Sequence, residues 1–417
     1  MKQKLFSLIG LTILTLPRIA TAQNAVTDWN DIALKTAAVG NSFIPPNSPN
    51  GMALYLAYVH LAIHDAVNAI QHRYSPYGPP INSAAGASVD AAVAAAAYVT
   101  LQFHFPDQSA TLAATYNGWL AALPDPGKDD GIAAGSAAAN QLLAMRANDG
   151  HGANVPYTYP SVPTPGVWIP TPPAFASPVT PWMGQMVPFT MRSASQFLPE
   201  PPFSLSSKEW VDDYNQVKAL GAINSAVRTP KQTEIALFWT ENTSVQYARA
   251  LRNLAGAYGL DAAETARLFA LVWTSSADAL IGCWNAKYTY SFWRPVTAIR
   301  NGGIDGNPET VPDPAWTPLA NTPAHPEYPS AHGCFTGALA DSLKQYFGKP
   351  NFTFIVSSTV TNTVHEIRST KELEDEVKNA RIYAGIHYHH SVVEGADLGR
   401  KVARQAFREF FQPESSK

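Results

Sequence analysis

The sequence predicts an all-α protein in which helical bundles are joined by long proline-rich loops. Residues from about 28 to 150 are rich in alanine and repeat their apolar positions with a helical period. A long amphipathic helix is expected from Asp261 to Lys287. Between Val155 and Pro202, 13 prolines exclude a regular helix. Alanine and leucine at this density favour closely packed helices, which assigns the chain to the all-α class.

The first 22 residues have the pattern of a secretory signal peptide. Two lysines precede an apolar run from Leu5 to Leu16, and Ala20-Thr21-Ala22 forms a cleavage site. The alternative is an N-terminal membrane anchor, but this run is short for a bilayer span. No later segment is expected to be long and apolar enough to cross a membrane. We therefore expect a soluble mature protein, exported to the periplasm or the extracellular space.

Three parts are expected: the leader at 1–22, an N-terminal helical half with the proline-rich loop at 23–205, and a C-terminal helical domain at 206–417. Loss of Lys2, Lys4 and Arg18 with the leader takes the 29 basic residues to 26 against 32 acidic ones, a net charge of −6. No basic patch is present, so nucleic acid is not an expected partner. Two cysteines do not make a disulfide scaffold.

Two histidines of the N-terminal half, His60 and His64, lie one helical turn apart beside Asp65. This spacing presents two side chains on one helix face and is compatible with a metal site. No HExxH pattern accompanies it, and histidines hydrogen-bonded inside a helical bundle are commoner. We therefore prefer a structural role for both.

The proline-rich segment also carries large aromatic residues, namely Trp168, Phe175, Trp182 and Phe189. Buried aromatics need a surface to pack against. This favours an ordered loop that wraps the bundle and forms a wall of the active-site mouth. The alternative is a plain interdomain connector.

The stretch Tyr328–Gly333 predicts a helix start that holds an anion. Pro329 cannot continue a helix backwards, and Ser330 is a good N-cap. The free N–H groups of the first turn, together with the helix dipole, favour a phosphate-like oxyanion. His332 in that turn can move a proton to or from this anion.

Two further stretches supply the cations that such an anion needs. Lys287 and Arg294 lie upstream, and Arg381 lies downstream. Together they balance an oxyanion with two to three negative charges, and arginine offers bidentate donors. His387 is then a candidate ligand or nucleophile.

Taken together, these stretches resemble the tripartite signature of the vanadium-dependent haloperoxidase and type 2 phosphatidic acid phosphatase superfamily. The three parts are Lys-x6-Arg-Pro at 287–295, Pro-Ser-Ala-His at 329–332 and Arg-x5-His at 381–387. The resemblance to bacterial haloperoxidase-like proteins runs from about Trp29 to the last helix. It implies the helical bundles of that superfamily, with the oxyanion site in the C-terminal domain.

The resemblance implies vanadate as the cofactor and halide and hydrogen peroxide as substrates, with a small organic acceptor also compatible. His387 would bind the vanadium, His332 would act as acid and base, and Lys287 would assist catalysis by polarising the peroxide. The vanadate oxygens would be held by a set of donors: Lys287, Arg294, Arg381, the Ser330 hydroxyl and the Ala331 N–H. Bound vanadium acts as a Lewis acid, and hypohalous acid is the product.

An exported acid phosphatase is the alternative, in which His387 attacks a phosphomonoester and His332 protonates the leaving group. The motifs alone do not separate phosphate from vanadate. The soluble phosphatases of the superfamily are short, whereas this chain adds an alanine-rich half and a proline-rich loop, which favours the haloperoxidase. A catalytically silent anion-binding protein would require a degraded pocket, yet all six polar positions are present.

Three positions depart from the superfamily pattern. Ala331 replaces a glycine, and Ala380 replaces a serine before Arg381. Ser391 stands where an aspartate would orient His387. We expect a hydroxyl or a backbone carbonyl to take over this orientation. An aspartate at this position would raise the basicity of the nucleophilic His387, so its absence weakens the phosphatase interpretation.

Two residues are expected to line the substrate path by resemblance, His325 and Trp284. Haloperoxidases of the superfamily place an aromatic residue or a histidine at the position of His325, beside the halide path. A histidine there favours bromide or iodide over chloride. Cys283 and Cys334 flank the same site, and two alternatives stay open, a disulfide or two buried free thiols.

The C-terminal part begins with a β-prone stretch, Phe352 to Val364, followed by a capping box at Ser369–Glu372 that opens the helix of Arg381. Gly385 permits a break that turns His387 inward. A last helix is expected over about Val392–Phe411. His389 and His390 follow His387, but their spacing does not share one helix face, and a divalent-metal site is not expected there.

Overall fold

A computed structural model of the protein describes residues 24–124 and 126–414. The predicted signal peptide lies outside the described residues. The described part of the chain contains thirteen α-helices and one two-stranded sheet. The helices are α1 (Ala25–Val39), α2 (Pro49–Gln71), α3 (Val89–His104), α4 (Ser109–Ala121), α5 (Lys128–Met145), α6 (Lys208–Gly221), α7 (Pro230–Phe238), α8 (Thr243–Ala257), α9 (Ala262–Tyr290), α10 (Pro295–Arg300), α11 (Ala331–Phe347), α12 (Thr370–Tyr383) and α13 (His389–Glu409). The strands are β1 (Asn351–Ser358) and β2 (Thr363–Ser369).

Helix α2 is the central helix of the N-terminal half and packs against α3, α5 and α9. By length and composition it would be able to cross a membrane, which corrects the expectation that no segment after the leader is apolar enough. However, 94% of its apolar window is buried inside the protein. The core helix of a helical bundle is buried in this way, so the length and apolar composition of α2 are only weak evidence for a membrane span.

The histidines of α2 are held by protein partners, as their predicted structural role requires. His60 Nε2 lies 2.8 Å from the Asn30 amide nitrogen, and His64 Nε2 lies 3.1 Å from the Ser75 carbonyl oxygen. The Asp65 carboxylate accepts from the backbone N–H groups of residues 77 and 78. These groups therefore fix the end of α2 and the chain that follows it.

Helix α9 connects the two halves. Asp261 is its N-cap and forms a reciprocal capping box with Glu264, as a helix starting here predicts. Along its 29 residues it packs on α2, α11 and α13. Lys287 lies in its last turn, and Ser291 ends it in the left-handed conformation. One buried core consequently runs from the N-terminal helices through α9 to the C-terminal ones.

Helices α11 and α13 approach each other unusually closely because glycines lie at their interface. A β-carbon on Gly337 would lie 2.3 Å from the Ala396 carbonyl oxygen, and one on Gly399 would lie 2.2 Å from the Cys334 carbonyl oxygen. Side chains at these positions would force the helices apart. The glycines therefore fix the N-terminus of α11 against the start of α13.

The proline-rich segment packs against the bundle, as predicted, although Phe175, one of its four named aromatic residues, is 63% exposed. Trp168 is fully buried and Trp182 is 6% exposed. The Val179 carbonyl accepts from the Trp284 indole N–H (3.3 Å) and from the Tyr288 hydroxyl (2.8 Å). The segment is thus fastened directly to α9 beside the end that carries Lys287.

The C-terminal part differs in detail from its prediction. The β-prone stretch forms β1 and the first residues of β2, which pair as an antiparallel hairpin. Ser369 caps α12 and accepts from Glu372 N–H, but the Glu372 carboxylate accepts from Arg368 rather than completing a capping box. The last helix starts at His389, earlier than expected, because the break at Gly385, with φ of 77°, is followed at once by a new helix start.

Candidate active site

The predicted site residues meet at one cavity of about 650 Å³. Its walls come from the loop before α2, the segment that joins α7 and α8, the loop before α11, and the turn between α12 and α13. Six of the nine predicted residues line it: Trp284, His325, Ala331, His332, Arg381 and His387. Lys287, Arg294 and Ser330 are fully buried behind this lining.

Helix α11 begins at the cavity as the sequence predicts. Ser330 is the N-cap, and its hydroxyl accepts from the Gly333 N–H at 3.4 Å. Ala331 therefore presents an N–H of the first helical turn, where no main-chain acceptor of the helix reaches it. His332 lies in the same turn, and its Nε2 is 2.9 Å from the Thr243 hydroxyl.

Lys287 is held by backbone carbonyls rather than by a carboxylate. Its Nζ donates to the carbonyl oxygens of Pro326 at 2.8 Å and Glu327 at 2.9 Å. Both acceptors belong to the loop that leads into α11. Burial lowers the pKa of Lys287 to about 8, because the charged form loses its hydration.

Arg294 connects His325 with His387. Its guanidinium donates to the carbonyl oxygens of His325 and Ile386, at 2.9 and 2.8 Å. It also lies 3.2 Å from His387 Nε2 and 3.0 Å from His325 Nδ1. Burial lowers the pKa of Arg294, although a guanidinium keeps its charge at neutral pH.

Arg381 is held loosely by comparison. Its Nη1 donates to the Trp239 carbonyl at 2.7 Å, while its Nε is buried without a partner among the described residues. Its side chain lines the cavity. Burial, and then the nearby charge of Arg294, lower its pKa. A buried guanidinium with unused donors is suited to an anionic ligand.

His387 is oriented by a carboxylate that sequence analysis missed. Its Nδ1 lies 2.7 Å from Glu327 Oε1, which also accepts from the Tyr388 N–H at 3.1 Å. The Ser391 hydroxyl instead donates to the Glu327 backbone carbonyl at 3.5 Å. The expectation that a hydroxyl or carbonyl replaces the family aspartate is therefore wrong, and so is the argument against a phosphatase built on a missing carboxylate.

The site carries an excess of positive charge. Three cations converge on it, namely Lys287, Arg294 and Arg381, and the carboxylate of Glu327 lies among them. Burial raises the pKa of Glu327 to about 7, although the charges of Arg294 and Lys287 act to lower it. Burial and the same cations hold the pKa values of His325, His332 and His387 well below the usual range. These histidines are neutral in the free protein. The donor set therefore fits a tetrahedral oxyanion such as vanadate or phosphate.

The two residues expected on the substrate path lie side by side. The rings of Trp284 and His325 have centroids 5.1 Å apart, and both line the cavity. His325 is 7% exposed and is fixed by Arg294. It is therefore a buried wall residue rather than an exposed loop histidine.

Cys283 and Cys334 are both buried and free, so the disulfide alternative is wrong and the free-thiol alternative holds. The two thiols are neighbours, and Cys283 also contacts the Pro329 carbonyl at 3.6 Å. His390, close after His387, stacks on Phe203 with ring centroids 3.8 Å apart. Within residues 24–124 and 126–414, no group of three or more metal-ligating side chains is found.

Sequence analysis also missed the wall between α7 and α8. Trp239 holds Arg381, and Thr243 holds His332. Both lie more than 80 residues before α11 in the chain, and neither belongs to a recognisable motif. For Glu327 a signal existed, since a carboxylate three residues before Ser330 enters the same loop.

Comparison with known proteins places this geometry in context. Residues 267–413 match the family model of the second helical-bundle domain of VCPO. Vanadium chloroperoxidase from Curvularia inaequalis is 28% identical over 422 residues, which cover 81% of this chain and 68% of that protein.

Two solved structures share the architecture across almost the whole chain. One, described as the first bacterial vanadium-dependent iodoperoxidase, has a TM-score of 0.77 and 24% identity, and covers 93% of this chain and 97% of that one. The other, a holo-type bacterial vanadium-dependent chloroperoxidase, has a TM-score of 0.73 and 17% identity with the same coverage. At these identities they confirm the predicted helical fold.

Proposed function

We propose that this protein belongs to the vanadium-dependent haloperoxidase family and oxidises halide ions with hydrogen peroxide to hypohalous acid. The observation that carries the proposal is the buried cation cluster around His387, in a chain whose similarity to vanadium chloroperoxidase extends over 81% of its length. Similarity of this extent includes the N-terminal helical half, which the short soluble phosphatases of the superfamily lack.

The residues of the site have distinct tasks towards vanadate. With Nδ1 held by Glu327, His387 presents Nε2 as the atom that would bind vanadium, and Arg294 Nη1 lies 3.2 Å from this nitrogen in the free protein. Arg381 offers its unused Nε, and the Ser330 hydroxyl and Ala331 N–H offer further donors. Lys287 and Arg294 add positive charge, and they lie behind the side chains that line the cavity. When bound, vanadate supplies a Lewis acid that activates hydrogen peroxide towards attack by halide.

Protons enter the overall reaction, in which halide, hydrogen peroxide and one proton give hypohalous acid and water. His332 is the group placed to handle this proton, because it lines the cavity in the first turn of α11. Burial, and then the surrounding cations, lower the pKa of His332 and keep it neutral in the free protein. An anion bound beside it would offset these cations and raise its affinity for a proton.

The halide is proposed to be bromide or iodide rather than chloride. Support comes from His325, a polarisable ring held beside Trp284 at the cavity wall. Rates of bromide, iodide and chloride oxidation, compared in the wild type and in His325→Phe, test this proposal. Efficient chloride oxidation by the wild type would refute it. A small organic acceptor is compatible with the cavity volume.

The site of action is proposed to be outside the cytoplasm, on the strength of the leader pattern in residues 1–22. Expression of the full chain, followed by N-terminal sequencing of the exported protein, tests this. A mature N-terminus at Gln23 is expected. Retention of residues 1–22 on a cytoplasmic protein would contradict the proposal.

Acid phosphatase activity is the second candidate, and the Glu327–His387 pair favours it, because a carboxylate raises the basicity of a nucleophilic histidine. The deciding experiment measures bromination of a phenolic dye by protein loaded with orthovanadate, beside p-nitrophenyl phosphate hydrolysis by vanadate-free protein. We expect vanadate-dependent bromination that His387→Ala abolishes. Phosphate release without halogenation would instead establish the phosphatase.

A further inference from the structure

Trp239 lies between the anion site and a charged cluster formed by His365, Glu234 and Glu376. It follows α7 directly and is fully buried. Its carbonyl accepts from Arg381 Nη1 at 2.7 Å, while its indole N–H donates to Glu376 Oε1 at 2.9 Å. Trp239 therefore contacts Arg381 at the site and one carboxylate behind it.

The carboxylate behind Trp239 is clamped by a histidine from the hairpin. His365 Nδ1 lies 2.6 Å from Glu376 Oε1, and His365 Nε2 lies 3.0 Å from Glu234 Oε1. The imidazole stacks flat on Phe238, with centroids 3.7 Å apart and planes 7° apart. His365 thus joins β2 to α7 through Glu234 and to α12 through Glu376.

The charges that face His365 come from both helices packed against it. Glu234 belongs to α7 and also pairs with Lys231 at 2.7 Å, and Glu376 belongs to α12. Burial opposes a charge on His365, but the hydrogen bonds and charges of the two carboxylates outweigh it and raise its pKa. The imidazolium form therefore persists to higher pH than in a free histidine and is lost as the pH rises through that value.

Arg381 depends on this arrangement because its other support is sparse. Among the described residues, the Trp239 carbonyl accepts a hydrogen bond from the Arg381 guanidinium, and Arg381 Nε has no acceptor. Trp239 in turn is anchored at its indole by Glu376, which lies on the same helix as Arg381. A shift of Trp239 would move the carbonyl that fixes Arg381.

We propose that Trp239 is a positioning residue for the anion site, and that the His365–Glu376 pair behind it fixes Arg381 in the orientation that holds an oxyanion. This inference rests on the proposed function in that it requires the site to bind an anion. It adds a role for the hairpin and for α7, which carry none of the motif residues. Removal of the indole N–H should loosen Arg381 while its backbone acceptor remains.

The first test is Trp239→Phe, which deletes the link to Glu376 but keeps the main-chain carbonyl. Binding of orthovanadate and of inorganic phosphate is measured by isothermal titration calorimetry, so that the readout does not require turnover. We expect about tenfold weaker binding of both anions, as for the loss of an outer partner of a ligand. Glu366→Gln is the matched control, since Glu366 neighbours His365 on β2 but is exposed.

The second test separates positioning from a general loss of structure. Glu376→Gln keeps an acceptor for the indole N–H and should retain most of the anion affinity, whereas Glu376→Leu should lose it. If the imidazolium of His365 holds Glu376 in place, wild-type phosphate affinity should decline as the pH rises through the raised pKa of His365. In His365→Gln this part of the decline should be absent, and the part due to Lys287 should remain. Thermal unfolding is recorded for each variant, and affinities are measured well below its midpoint.

The outcomes are distinct. Wild-type affinity in Trp239→Phe and His365→Gln, with an unchanged pH profile, would overturn the inference and leave the proposed function intact. Equal losses in Glu376→Gln and Glu376→Leu would also overturn it, because the retained acceptor would then have no effect. A wild type that binds neither anion would overturn the proposed function, and the inference with it.

Discussion

Glu327 and His387 form a fully buried pair in which Oε1 and Nδ1 are 2.7 Å apart. The pair leaves Nε2 of the imidazole on the cavity side, beside Arg294. The other carboxylate oxygen, Oε2, has no partner among the residues that the structure describes. One carboxylate thus fixes the ring that faces the cavity and moderates the charge of three cations.

Replacement of Glu327 tests this orientation. Glu327→Leu removes the acceptor for Nδ1–H, so the imidazole loses its fixed tautomer and direction. We expect halide oxidation to fall by about 10- to 100-fold. Glu327→Gln keeps an acceptor and should lose less. Steady-state triiodide formation at saturating vanadate measures both, and equal losses would show that charge rather than orientation is decisive.

The buried Lys287 predicts a pH limit on anion binding. Its pKa of about 8 in the free protein means that its charge is lost above that pH, whereas the arginines stay charged. Phosphate affinity should therefore fall as the pH rises from 8 towards 10, a range in which phosphate keeps one ionic form. Calorimetric titrations at several pH values measure this fall. Lys287→Met should bind more weakly and lack this decline.

The lowered pKa of Lys287 weakens anion binding at high pH but makes the folded protein more stable as the pH rises. Because an unfolded lysine titrates near 10.5, the unfolded chain binds more protons than the folded chain between these values. Lys287 therefore contributes a stability that increases with pH across this interval. Urea unfolding of wild type and Lys287→Met should show the wild type gaining relative to the variant. A constant difference would contradict the lowered pKa.

The neighbouring thiols of Cys283 and Cys334 should be unreactive in the native protein, because both are fully buried. We expect no reaction with a thiol reagent such as DTNB under native conditions. In guanidinium chloride without reductant, both cysteines should react. If neither reacts until dithiothreitol is added, the cysteines form a disulfide after all. A native protein that reacts at once would contradict the burial.

The contact between α11 and α13 predicts a clear stability loss on addition of one methyl group. Gly337→Ala places a carbon 2.3 Å from the Ala396 carbonyl oxygen and should cost about 1–3 kcal/mol of unfolding free energy. The matched control is Gly118→Ala in α4, which has open space around it. It should stabilise by about 0.5–1 kcal/mol, because alanine favours a helix. Urea unfolding compares the two, and equal effects would contradict the close packing.

Local signals were sufficient for the framework of the site. Helix α9 was predicted from apolar periodicity and α11 from the Pro329–Ser330 start, and the spacing of the cations followed from the motifs. These features depend on residues close in sequence. Tertiary partners were beyond such signals: the wall at Trp239 packs against Arg381, 142 residues later. Glu327 was missed because a loop has no periodicity to show which way a side chain points.

The three cations share a mode of support, since each is held by main-chain oxygen atoms. Lys287 uses two carbonyls, Arg294 uses two and Arg381 uses one. A carbonyl has no proton to gain or lose and stays in place whatever side chain its residue carries. This support therefore holds the cations in place without neutralising their charge, which for Lys287 is lost above a pH of about 8. The loops that hold the cations are correspondingly free to vary in side chain, provided that their backbone path is kept.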